Sequence, residues 1–212
     1  MIDRELIAAN IEKLSRMEIG ALMTGLRENI PVYQYLQQSY SKGGVAENRL
    51  FQFVFRSFYR LDNAGLSDEQ KTRYFMLMAA GQTDLQTILE ELFDLKTKRG
   101  KKSVQFSFAT KLLHTIDTGR PIYDKYVSSF TGIKLYFNSH EDDSKKISKA
   151  IIKYDELEQA YRELLLTNKD MLDLVKILRK EYRLAESDIS NVKAIDFLIW
   201  AYGSKNIPKT GR

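Results

Sequence analysis

The chain has 212 residues, 43% of them apolar, with 11 Phe, 12 Tyr and one Trp, enough to bury a sizeable core. It has no cysteine, which excludes disulfides, a thiol nucleophile and cysteine-ligated zinc or iron–sulfur sites, and it has only two histidines, so a metal site would need mostly carboxylates. The net charge is +5, no run of about 18 apolar residues occurs, and acids appear early in MIDRELIAAN; we therefore expect neither a membrane span nor a secretory signal, and a soluble, cytoplasmic protein.

Helical periodicity dominates from the N-terminus onward. Ile7, Ile11 and Leu14 mark a first helix; Val32, Tyr35 and Leu36 mark a second, with Pro31 near its first turn. A third carries Leu50, Phe51, Val54, Phe55 and Phe58. Ser67 with Gln70, and Thr83 with Gln86, have capping-box spacing. They open helices bearing Tyr74, Met76 and Leu77, then Leu85, Ile88, Leu89 and Leu92.

From Lys96 to Lys134 the chain changes character. Nine basic residues (Lys96, Lys98, Arg99, Lys101, Lys102, Lys111, Arg120, Lys125, Lys134) stand against Asp117 and Asp124, a local charge of +7, so the remainder carries −2. Concentrated basicity of this kind points to a polyanion. A plain solvated loop is the other reading of the Lys96–Lys102 run.

Within SFATKLLHTIDTGRPIYDKYV (107–127), a helix over 107–117 places Ala109, Leu113 and Ile116 on one face. Lys111 falls roughly 200° from Ala109, away from the buried stripe. Gly119 can end that helix in a left-handed turn, Pro121 can start the next, and Asp124 then sits in its first turn. His114 is expected to border a cleft along the 107–127 unit or to be half-buried against a backbone carbonyl, and Tyr123 to stack on a base or pack in the core.

Beyond it, Thr131 to Asn138 alternates enough for one short β-hairpin. His140, Glu141, Asp142 and Asp143 read as a solvated connector more than as a metal site. Helices are expected over Ile147–Leu166, Lys169–Tyr182 and from near Ser187 to Gly203, with Trp200 as a fold anchor. The whole is read as an all-α helical bundle, a single compact domain over 1–203, followed by a polar, basic tail over Ser204–Arg212.

The stretch 107–127 resembles the helix-hairpin-helix DNA glycosylases, most closely those of the 8-oxoguanine type. Ser107, Phe108, Ala109 and Thr110 fall where that family has its hairpin Gly-x-Gly-Thr, so neither glycine is kept. Lys111 falls on the lysine that attacks the sugar, and Asp124, in Pro121-Ile122-Tyr123-Asp124, on the essential aspartate. The resemblance implies a helix-hairpin-helix-like unit, a base-excision glycosylase with AP lyase activity, DNA as the partner and no cofactor. It further implies backbone contacts through Lys96, Lys98, Arg99, Lys101, Lys102, Ser107, Ala109, Thr110, Arg120 and Lys125, with His114 and Tyr123 at the base pocket. A catalytically inactive DNA-binding or protein-interaction module on the same scaffold remains the alternative, and oligomeric state is open.

Overall fold

The computed structural model describes residues 2–138 and 140–206, and among these every regular element is helical. In chain order they are α1 (Arg4–Ser15), α2 (Ile19–Thr24), α3 (Asn29–Ser41), α4 (Arg49–Tyr59), a 3₁₀ turn (Leu61–Ala64), α5 (Asp68–Ala79), α6 (Leu85–Asp94), α7 (Phe106–Ile116), α8 (Lys125–Thr131), α9 (Asp143–Ala160), a π-helical turn (Tyr161–Leu165), α10 (Lys169–Tyr182) and α11 (Asn191–Asn206).

Side-chain caps set most of the starts. Asp3, Asn48, Asp84, Asp124 and Asn168 each accept from a backbone amide in the first turn of the helix that follows, and Ser67 with Gln70 completes a reciprocal capping box. Each such bond satisfies a donor the helix cannot, a contribution of about 0.5–2 kcal/mol. Asp84, not Thr83, caps α6, because its carboxylate reaches both the Thr87 amide and the Thr87 hydroxyl.

The chain divides into two compact units, one of residues 1–28, 118–136 and 152–212, the other of residues 29–117 and 137–151. In the first, α11 is the spine: Val192 to Ile199 and Ala201 are buried, and α8, α10 and α2 pack on it. Gly203 lets α8 approach, since a Cβ there would lie 2.4 Å from a ring carbon of Tyr126. Tyr126 also meets Trp200 edge to face, which gives that tryptophan the anchoring role expected of it.

In the second unit the centre is aromatic. Phe55 contacts Phe51, Tyr59, Tyr74 and Phe75 with ring centroids 5.6, 4.7, 5.8 and 5.7 Å away, all at tilted or edge geometries that suit ring quadrupoles. Leu50, expected on this stripe, is instead 62% exposed. α7 packs against α3, α5 and α6.

Several expectations are corrected. The backbone over 132–138 is irregular, so the short hairpin does not form. α7 ends at Ile116 with Asp117 extended, Gly119 is not left-handed, and Pro121 lies in an irregular connector, so α8 starts only at Lys125. α9 gives way to π-helical winding at Tyr161 rather than continuing to Leu166. α11 begins later than Ser187 and runs through Ser204 to Asn206; the rest of the expected tail, 207–212, lies outside the described residues.

Gly203→Ala forces the Tyr126 ring or the α8 backbone to move, and we expect a loss of about 1–3 kcal/mol, as for overpacked cores. Urea denaturation of the two proteins measures it; an unchanged midpoint would show that α8 can shift without penalty.

Candidate functional site

Lys111 does not lie on an open face. Phe106 and every residue from Ala109 to Thr115 are buried, so α7 is enclosed nearly all round and a wheel with one buried stripe misplaces the lysine. Its side chain is 9% exposed. The amine donates to Ser107 Oγ at 3.1 Å and lies 4.7 Å from the Phe108 ring centre and 5.8 Å from that of Tyr59. Ring faces offset part of the lost hydration of an ammonium.

The first turn of α7 is tied down around this amine. The amides of Phe108 and Ala109 both donate to the Gln105 carbonyl, at 3.0 and 2.9 Å. Thr110 Oγ1 donates to Ser107 O, and the fully buried Tyr74 hydroxyl donates to Phe108 O at 3.0 Å. Residues 107–110 therefore open a helix and do not form a tight hairpin. The Ala109 and Thr110 side chains are fully buried.

His114, also fully buried, has Nε2 3.0 Å from the Tyr33 hydroxyl. Tyr59 and Phe108 were not singled out as site residues in the sequence. The i, i+4 spacing of Phe51, Phe55 and Tyr59 is the signal that could have placed Tyr59 on the inner face of α4.

Asp124 belongs to the other unit. It is the N-cap of α8, one position before the helix and not inside its first turn; Oδ1 accepts from both Tyr126 and Val127 amides at 2.8 Å. Tyr123, next to it, has its hydroxyl 3.2 Å from Ser128 Oγ and from Ile133 O, which fixes the ring within this unit. Arg120 pairs with Glu158 at 2.6 Å and lies over the Tyr154 ring. Lys125 is exposed, its amine 4.6 Å from the Tyr126 ring centre.

The basic run folds as a tight turn. Thr97 donates from its amide and hydroxyl to Lys101 O, Gly100 donates to Thr97 O, and Gly100 takes the left-handed conformation (φ 71°) the turn requires. Lys96, Lys98, Arg99, Lys101 and Lys102 are all exposed. Of these, Lys102 is paired with Asp94 at 3.0 Å.

The acidic connector is spent on ion pairs: Glu141 with Lys149, Asp142 with Lys145 and Asp143 with Lys146. A groove of about 300 Å³ lined by Glu69, Thr72, Arg73, Met76 and Leu95 contains none of the site residues expected from the sequence.

A second polar cluster escaped the sequence reading. In the unit of Asp124, Lys193 and Asp196 are both buried and paired at 2.6 Å along α11, with the Lys193 amine 4.4 Å from the Phe197 ring centre. Tyr161, at the π-helical turn, is 2% exposed and its hydroxyl has no hydrogen-bond partner among the described residues. Burial pushes its phenol well above the ordinary range, and the charges of Asp196 and Asp124 add to this.

A neutral phenol in the folded state that ionises near pH 10 on unfolding makes stability fall as pH rises above about 10. Tyr161→Phe removes both this alkaline loss and an unsatisfied hydroxyl. We expect its unfolding free energy at pH 7 to stay within about 1 kcal/mol of the parent, on the stabilising side, and its decline above pH 10 to be shallower. A large loss at neutral pH, read by urea titration, would mean the hydroxyl has a partner.

In comparisons with known proteins, no family model, no curated protein and no solved structure matches this chain.

Proposed function

We propose that the chain is a DNA glycosylase with AP lyase activity, in which Lys111 is the nucleophile and Asp124 the carboxylate that steadies the cationic sugar. The observation that carries this reading is the setting of Lys111: an amine on an enclosed helix, 9% exposed, held by Ser107 Oγ against two aromatic rings. A lysine kept only for solubility would not need such a place. The exposed turn of Lys96–Lys102 supplies cations for a phosphate backbone, and the resemblance over 107–127 gives the two identities their roles.

The chemistry runs as follows. A damaged nucleotide is turned out of the stack, and the amine attacks through its free electron pair. Lys111 Nζ bonds to C1′ of the deoxyribose while the glycosidic bond breaks, its electron pair leaving with the base, which takes up a proton. The nitrogen loses a proton, the C1′–O4′ bond opens with protonation of O4′, and a protonated Schiff base results. Loss of a C2′ proton then expels the 3′ phosphate and nicks the strand. The resemblance gives Asp124 the part of stabilising the positive charge on the sugar before the new bond is complete.

A second reading is favoured by one observation. Asp124 already has a structural use, because its carboxylate caps α8 through two amides. On that reading the scaffold binds DNA or a protein and has no lyase chemistry.

Borohydride reduction in the presence of duplex bearing 8-oxoguanine or an abasic site separates the two. The parent chain should give a covalent adduct and Lys111→Ala none. Asp124→Asn keeps an acceptor at the cap, so its stability should change by less than about 1 kcal/mol while adduct formation falls at least about tenfold. An adduct that persists in Lys111→Ala takes this lysine out of the mechanism; no adduct with the parent favours the inactive module.

A further inference from the structure

Resting on the nucleic-acid reading above, we infer that Arg60 and the turn 96–101 form one phosphate clamp for a polynucleotide backbone, set on the corner that follows Tyr59. Arg60 is exposed and left-handed (φ 57°), a conformation that glycine adopts without penalty and an arginine does not. It closes α4, with its amide donating to Ser57 O, and directly follows the residue whose ring bounds the Lys111 amine. The 3₁₀ turn then runs to Gly65, whose carbonyl accepts from the Lys98 amide at 2.9 Å. That bond docks the tip of the basic turn on the Arg60 corner.

The pairing of charges at this corner is uneven. Asp62 is engaged by Arg56 at 3.5 Å and by Lys71 at 3.3 Å, and Asp68 by Lys71 at 2.7 Å. The Lys71 and Lys98 charges both help hold the Asp68 carboxyl below its usual range, which places Lys98 within reach of the same corner. The two acids are thus taken up by Arg56 and Lys71. Arg60, Lys96, Lys98, Arg99 and Lys101 have no ion-pair partner among the described residues.

Exposed cations without an ion pair, joined along the chain through the 3₁₀ turn and the Lys98–Gly65 bond, suit a row of phosphodiesters, and an arginine can bind a phosphate oxygen pair through two parallel N–H groups. A backbone seated there is held by the same segment that walls the proposed nucleophile. Arg183 supplies a built-in control: it too is exposed, left-handed (φ 53°) and closes a helix, α10, but it belongs to the other unit and, among the described residues, has no basic turn docked on its corner.

The experiment compares binding of a fluorescent undamaged DNA duplex to the full chain, Arg60→Gly and Arg183→Gly across about 50–200 mM salt. Glycine suits both backbones, so the melting temperatures should hold or rise. Arg60→Gly should make the slope of log K against log salt shallower by about 0.9, one phosphate contact, and Arg183→Gly should leave it unchanged. Equal slopes for the parent and Arg60→Gly, or equal losses in the two variants, overturn the clamp while leaving the DNA reading intact. No salt-dependent binding by the parent overturns both.

Discussion

The position of the Lys111 amine depends on the aromatic spine that runs from Phe51 through Phe55 to Tyr59. Those three side chains repeat at every fourth residue of α4, so one face of the helix presents rings to Tyr74 and Phe75. Tyr59 ends that row beside Lys111, and Tyr74 reaches past it to fix the Phe108 carbonyl in the first turn of α7. The helix bearing the lysine is therefore oriented by packing on one side and a buried hydroxyl bond on the other. Interiors packed at this density do not deform continuously, so the amine has a defined address and not merely an average one.

The same packing explains which parts of the fold could be read in advance. α1, α4, α5 and α10 have a regular apolar repeat and a capping residue of the right chemistry, and both signals are local. Lys169–Tyr182 coincides with the expected span for that reason. The burial of Lys111 could not be read locally. A helical wheel assumes one solvated face, and α7 has none, since α3, α5 and α6 all pack on it. Nor could the connector at Gly119 and Pro121. Glycine and proline permit a left-handed cap and a helix start there, yet Asp124, with two amides to satisfy, fixes the first turn of α8 further on.

Charge was legible as an amount and not as an arrangement. The excess between Lys96 and Lys134 is plain from the sequence, but its members have different fates. Arg120 is drawn into a half-buried pair with Glu158, from a segment far along the chain, and Lys102 is matched by Asp94. What is left is narrower and more informative: a turn of exposed cations whose tip is bound to the Gly65 carbonyl. Arg60 had no signal in the sequence at all, because its importance rests on a backbone conformation and on the pairing of its neighbours.

The buried polar groups around α11 bear on how Asp124 is to be understood. A lysine and a carboxylate taken out of water lose several kcal/mol of hydration each, which their attraction recovers only with close geometry. Lys193 and Asp196 meet that condition at 2.6 Å, but the Tyr161 hydroxyl nearby does not, and an apolar residue would serve packing better at that place. The charges of Asp124 and Asp196 both add to the upward push that burial gives the Tyr161 phenol. The Asp124 carboxylate is oriented by two amides that are already in place and need no rearrangement to hold it. Capping is thus compatible with the proposed charge stabilisation: the amide bonds that hold α8 also hold the Asp124 charge in one orientation.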